Sequence, residues 1–371
     1  MRFMKQWRRS LASLVFALSS AGILAYASAA AAGPIGELYV PEVDLNQIAV
    51  IDTAAAKIIR RVPVNDIAVL PFGSRPAVLA ATLDGRKIYS DNFGVEPPTV
   101  TIINRRTGTN KSIRVGGIPL GAFTSLDGKE IYLPEVNFGV DVISTETDAI
   151  VRRLTFPDIP VASISGPDGN LYVGFATGFL GAYDPKTGRT IRPPIWSGGT
   201  LTFWFTFTQD GKKLYTDTVN TIGVIDLHKW QLIKSIPTSG SATYLPTDPG
   251  AFTSTLSPDG KKLYVTLFGE TGVLIVDVAT DKVIGKIKTA GSTTGITFSA
   301  DSTRGYISDM GPSSAFLKTP LGEAVLFGNL IGPGLLGPGQ IIVIDPATDA
   351  IVGDPIPTGP GPGISVWVPA L

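Results

Sequence analysis

The chain has no cysteine and one histidine, His228, in 371 residues. Without cysteine there are no disulfides, no thiol catalysis, no thiolate metal sites and no covalent haem attachment. A lone histidine excludes a histidine metal cluster and argues against a Ser-His-Asp triad. Positive charge is also scarce. Residues 1–32 hold four cations and no acid; beyond them 27 Lys and Arg face 31 Asp and Glu, a net charge of about −4. That leaves no basic footprint for nucleic acid and no polybasic patch for a membrane surface. Apart from Leu11 to Tyr26, no long apolar run exists.

That run follows Arg2, Lys5, Arg8 and Arg9 and precedes Ala27-Ser28-Ala29. A positive start, an apolar stretch and small residues read as a secretory signal peptide over residues 1–32, with a retained anchor as the alternative. About 16 mostly apolar residues is short for a membrane span. The expectation is a protein exported to the periplasm or secreted from a bacterial envelope, monomeric, with no membrane span after cleavage.

Seven of the ten tyrosines recur at one place: Tyr39, Tyr89, Tyr132, Tyr172, Tyr215, Tyr264 and Tyr306. The gaps are 50, 43, 40, 43, 49 and 42 residues. Short apolar strands at that period point to a propeller, one four-stranded sheet per repeat. Before most tyrosines lies an Asp-Gly turn: Asp84-Gly85, Asp127-Gly128, Asp168-Gly169, Asp210-Gly211 and Asp259-Gly260, with Asp301-Ser302 as a weaker version. Asp-Gly between apolar runs is a strong hairpin signal, since both residues tolerate positive φ. After each tyrosine strand comes a β-branched strand, such as Ala49-Val50-Ile51-Asp52 or Leu274-Ile275-Val276-Asp277, and then an outer strand. Strands this short and regularly punctuated leave no room for helices. The first tyrosine strand, Glu37 to Val40, lacks a preceding inner strand, and the last segment, Gly363 to Val368, is an inner strand without a successor. Pairing the two would close seven blades and remove free sheet edges. The fold expected is therefore an all-β seven-bladed β-propeller over residues 33–371.

Ser257-Pro258-Asp259-Gly260-Lys261-Lys262-Leu263-Tyr264-Val265-Thr266 and the stretch GVLIVDVATDKVI over 272–284 resemble the YVTN-type β-propeller repeat. The resemblance covers nearly all of residues 36–371 and implies the fold rather than an activity. Departures are the missing Asn after most tyrosine strands, Ser144-Thr145 in place of Asp, and a long insertion at 311–340.

The Asp-Gly turns share one face of such a ring, and the exits of the tyrosine strands share the other. The second set varies more, so a site is expected there. That face also collects acids and amides: Glu42, Asp91, Asn92, Glu135, Asn137, Asp217, Asn220 and Asp309, with Asp44 and Glu270 nearby and Phe175 breaking the pattern. One reading is a collar for hydroxyl-rich or cationic ligands, or for Ca²⁺. The other is solvated acids at strand ends, which also discourage edge association. Arg75 could hold an anionic group or pair with the acids, and pairing is expected. The insertion 311–340 is apolar and rich in Gly and Pro, either a lid or docking patch or a rim element. Its Gly332-x-Gly334-x-x-Gly337 is interrupted by Pro333 and Pro338, with no helix to meet a phosphate. Trp204 and Trp367 are expected to pack between blades, and the tyrosines to bond backbone through their hydroxyls. The functional expectation is a scaffold without a required cofactor that binds a protein partner or small ligand. The alternative is a Ca²⁺-assisted hydrolase or lactonase.

Overall fold

The computed structural model describes residues 33–64, 74–94, 97–218, 221–238, 250–315 and 336–371. No α-helix occurs among them, and the strands form antiparallel sheets. Sheet A contains Gly36–Glu42, Gln47–Asp52 and Lys57–Pro63, with Val366–Pro369 added from the carboxyl end. Sheet B holds Pro76–Ala81, Lys87–Asn92, Thr99–Asn104 and Thr109–Arg114. Sheet C holds Phe123–Thr124, Glu130–Glu135, Gly139–Ser144 and Ala149–Thr155. Sheet D holds Pro160–Ser165, Leu171–Phe175, Phe179–Tyr183 and Thr190–Trp196, and sheet E holds Trp204–Phe207, Lys213–Thr218, Thr221–Asp226 and Gln231–Pro237. Sheets F and G are continuous. Strand Lys282–Phe298 follows Gly250–Leu256, Lys262–Phe268 and Thr271–Asp277, and leads into Gly305–Asp309 and Pro338–Asp345. Ala350–Ile351 and Ile356–Pro360 pair with that last strand.

In sheet A the chain's two ends meet in register, Leu38 opposite Trp367 and Tyr39 opposite Val366. In sheet A the middle strands Gly36–Glu42 and Gln47–Asp52 are buried and the outer strand Lys57–Pro63 is exposed, as its charged sequence requires. The apolar clusters lie between sheets. Tyr39, Val50, Leu79 and Ile88 join A to B; Tyr89, Ile102, Ile131 and Leu133 join B to C. Tyr132, Val173, Tyr183, Phe205 and Leu214 join C, D and E. Others join E to F, F to G, and, through Leu38, Ile51, Tyr306 and Ile341, G back to A. Burial of these faces against neighbours is the main stabilising term, at about 25 cal/mol per Å².

Inner strands also bond across sheets. Thr124 Oγ1 donates to the Ala81 carbonyl at 2.8 Å, Thr206 Oγ1 to the Ser254 carbonyl at 2.9 Å, and Thr253 Oγ1 to the Thr294 carbonyl at 2.9 Å. Thr294 Oγ1 donates to the Pro362 carbonyl at 2.7 Å, and the Ile364 N–H to the Ala77 carbonyl at 2.8 Å.

Tyr89, Tyr215 and Tyr264 serve these junctions, through side chains and, for Tyr215 and Tyr264, a backbone carbonyl as well, whereas Tyr132 and Tyr172 bond Glu130 and Asp168 of their own sheets. Tyr89 donates to Asp148 at 2.6 Å, where Lys87 Nζ also binds at 2.8 Å. Tyr215 and Lys213 meet Asp281 likewise, and Tyr264 and Lys262 meet Asp349. Each acceptor sits at positive φ in the outer turn of the next sheet. Burial and the adjacent carboxylate push these phenols well above their ordinary pKa. In sheet A the charges are exchanged: Glu37 accepts from Tyr39 at 2.7 Å and from Arg105 of sheet B at 3.1 Å.

The Asp-Gly hairpins differ from the form expected. Only the glycine takes positive φ, 65° at Gly85 and 70° at Gly260. The aspartate instead accepts the N–H two residues after it and, except at Asp168, which follows Gly166, a Ser or Thr hydroxyl two residues before it, as Asp259 does at 3.1 and 2.6 Å. That local bonding holds the turn without left-handed backbone at Asp. Ser144 stands in for the usual Asp of the outer turn by accepting the N–H groups of Glu146 and Thr147 at 3.3 and 3.4 Å.

Candidate functional site

The acids assigned from sequence divide by their distance from the tyrosine. Strand side chains alternate in side, so an offset of two and an offset of three face opposite ways.

Three residues on are Glu42, Glu135 and Asp309, all fully buried. Each receives the segment arriving from the preceding sheet. Glu42 accepts the Gly359 N–H at 2.6 Å, Gln47 Nε2 at 2.5 Å and Arg61 Nε at 2.9 Å. Glu135 accepts the Gly116 N–H at 3.1 Å and Arg153 at 2.6 Å. Burial, then the neighbouring Asp141, pushes the Glu135 carboxyl upward. Asp309 accepts the N–H groups of Ala290, Gly291 and Gly311 at 3.1, 2.9 and 2.9 Å, and Gln340 Nε2 at 2.8 Å.

Two residues on are Asp91 and Asp217. Asp217 Oδ2 accepts Ser254 Oγ of the next sheet at 2.6 Å, and its Oδ1 is buried without a partner among the described residues. Asp91 Oδ1 accepts the N–H groups of Ala77 and Val78 at 3.0 and 2.6 Å, and its Oδ2 is likewise without a partner. Burial pushes Asp217 up to about 8 and Asp91 up to about 7.

The remaining candidates are structural neighbours of these. Asn92 Nδ2 donates to Thr99 and Thr101 of its own hairpin at 2.9 and 3.0 Å. Asn137 donates to the Gly116 carbonyl at 2.7 Å and receives Arg153. Arg75, with φ 53°, is buried in an ion pair with Asp44. Glu270 pairs with Lys286 at 2.7 Å near the surface. Asn220 lies outside the described residues, as does 316–335 of the insertion; Leu336 packs with Val43, Phe268 and Met310.

The carboxylates Glu42, Asp91, Glu135, Asp217 and Asp309 share no hydrogen-bond partner with one another among the described residues. Among the described residues, no three acidic or histidine side chains gather in a metal-holding group. Glu42, Glu135 and Asp309 are each occupied by protein donors, Gly359, Gly116 and Gly291 N–H groups among them.

What does converge is apolar. The entry segments of the inner strands surround a cavity of about 300 Å³. Sheet B supplies Ala77, Val78, Asp91 and Phe93; sheet D supplies Ile159 and Val161, with Ala176 beyond its tyrosine strand. Leu201, Phe203 and Trp204 enter with sheet E, Phe252 and Thr253 with sheet F, Leu120 ahead of sheet C, and Ile364 ahead of the last strand. Phe203 meets Phe252 edge-on at 5.3 Å, and Phe252 stacks on Phe268 at 4.8 Å. Trp204 packs between sheets against Phe123 at 5.0 Å, as expected, but also lines this cavity. Asp91 is the one titratable side chain among the described residues that line it. Of the residues lining this cavity, the sequence singled out Asp91 as a candidate site residue and Trp204 as packing between blades. The available signal was apolar residues just before each inner strand, as in Ile118-Pro119-Leu120 and Leu201-Thr202-Phe203-Trp204. Clefts between hairpin turns on the opposite side, such as that near Asp127, Lys129, Glu130 and Lys186, are lined by charge.

No family model matches the chain, and no curated protein matches it in sequence. Solved structures do. The periplasmic gluconolactonase PpgL of Pseudomonas aeruginosa is 15% identical with a TM-score of 0.64, covering 90% of this chain and 99% of that one. A functionally unknown protein from Desulfotomaculum acetoxidans is 14% identical with a TM-score of 0.63, covering 88% and 100%. The dihydro-heme d1 dehydrogenase NirN, in complex with DHE, is 14% identical with a TM-score of 0.58, covering 90% of this chain and 75% of its own. What this chain shares with them is the β-propeller fold, a scaffold on which unrelated activities are built.

Proposed function

We propose that the protein is an exported binding scaffold, a seven-bladed propeller closed by its carboxyl-terminal strand, that takes a small ligand in the apolar cavity where its inner strands begin. Two features support the closed ring: the register of Val366–Pro369 on Gly36–Glu42, and apolar clusters that link each sheet to the next and G back to A. The observation that carries the functional reading is the cavity itself. It is concave, mostly apolar, walled by six sheets' segments and marked by one buried carboxyl with an unused oxygen. In this reading the rim acids hold the connections, and Asp91 meets the ligand. The repeats are of YVTN type, and the working compartment is the periplasm or the exterior.

The test is a thermal-shift and tryptophan-fluorescence screen of small aromatic and aliphatic compounds, since Trp204 lines the cavity. Ala176→Phe fills the cavity from one wall. The expected result is hits on the wild type that the filled variant loses while its fold, by circular dichroism, is kept. Hits that survive the substitution would place binding elsewhere.

A further inference from the structure

The rest of the molecule gives weaker leads. The cluster of Glu135, Asp141 and Arg153 is internally bonded, and the exposed Phe179–Trp196 pair has nothing on it to identify an occupant. The cavity wall says more.

Taking the cavity as the ligand site, we propose that its ligand is a small organic amine, whose ammonium N–H donates to Asp91 Oδ2 while its apolar body rests against Phe93, Phe203, Trp204 and Phe252. Asp91 Oδ1 is already held by two backbone N–H groups, which supports the charged carboxylate. The other oxygen is buried and receives no donor from the described residues. A buried acceptor of this kind needs a donor, and an uncompensated carboxylate needs a positive charge. None of the described residues lining the cavity is Lys, Arg or His. An ammonium supplies both needs, and aromatic walls favour it further, because ring faces attract cations. The size, about 300 Å³, suits a compound of one ring or a short chain.

Burial already raises the Asp91 pKa to about 7, so near neutral pH the group is partly protonated. An ammonium selects the ionised form and lowers that pKa, so binding should release protons. A neutral carbonyl ligand would select the protonated form, raise the pKa and take protons up. Asp217 titrates nearby in pH but does not line the cavity, so its state should not follow the ligand.

The experiment is isothermal titration calorimetry of the full chain at pH 7 in two buffers of different ionisation enthalpy. The probes are 2-phenylethylamine, its uncharged analogue n-propylbenzene, and acetophenone. The expected result is about tenfold or more preference for the amine over n-propylbenzene, with proton release. Asp91→Asn keeps an oxygen for the two N–H groups and should abolish the preference for the amine, with the fold checked by circular dichroism. Wild-type binding of n-propylbenzene with no amine preference would overturn the amine inference and leave the cavity reading standing. Preference for acetophenone with proton uptake would overturn it in favour of a neutral acceptor. No binding of any probe, or binding that Ala176→Phe leaves intact, would overturn both.

Discussion

Glu42, Glu135 and Asp309 differ from Asp91 and Asp217 by one step along equivalent strands of different sheets, and the step changes what each carboxylate does. At an offset of three from the tyrosine, a carboxylate turns toward the segment arriving from the preceding sheet and is saturated by backbone N–H and arginine. At an offset of two it turns toward the next sheet or the cavity and keeps an unused oxygen. Strand alternation alone separates the two groups. Polar bonds consumed in holding a scaffold are not available to a ligand, so the group that is worse satisfied is the better place to look for function.

The largest effect should come from breaking the first group. Asp309→Ala strips the acceptor from three backbone N–H groups and Gln340, and should cost about 3–5 kcal/mol by urea denaturation. A loss under about 1 kcal/mol would mean the rim acids are not structural and would erase the contrast.

The second group should respond to pH instead. A carboxyl whose folded pKa lies above its unfolded value of about 3.9 stabilises the fold at low pH, and the benefit is lost as pH rises toward the folded value. For Asp217 that window runs from about 4 to about 8. Asp217→Asn should therefore flatten the fall in stability across the window, by up to about 1.4 kcal/mol per pH unit. Parallel wild-type and variant curves would show that Asp217 is ionised normally.

A smaller effect is expected where sheets are latched. Tyr264→Phe removes the hydroxyl bonded to Asp349 but keeps the ring, and should cost about 1–2 kcal/mol in thermal denaturation. The smallest should be Lys286→Ala. Its partner Glu270 lies on the same side of the sheets but near solvent, and the change should stay within about 0.5 kcal/mol. A larger loss there would blur the line between saturated buried acids and solvated ones.

The repeat was legible because each level agreed. The tyrosine spacing, the Asp-Gly turns and the terminal half-sheets marked the sheets, and Leu38 does pair with Trp367. The partner of three tyrosines was legible in part: Lys87-x-Tyr89, Lys213-x-Tyr215 and Lys262-x-Tyr264 recur, as does Thr-Asp at 147–148, 280–281 and 348–349, but only the fold shows that they meet. The cavity was not legible. Phe203, Phe252 and Ile364 look like core residues, and which apolar residues face a void depends on how several sheets converge. The acid rim read as either a collar or solvated strand ends, and Glu42, Asp91, Glu135, Asp217 and Asp309 are instead buried; sequence shows how far an acid lies from a tyrosine but not which neighbour receives it.

The most direct measurement is a crystallographic soak of this protein with a library of small aromatic fragments. Fragment density is expected against Phe203, Trp204 and Phe252, within hydrogen-bond reach of Asp91. Fragments gathered instead around Glu42, Glu135 and Asp309, with the cavity left empty, would contradict that expectation.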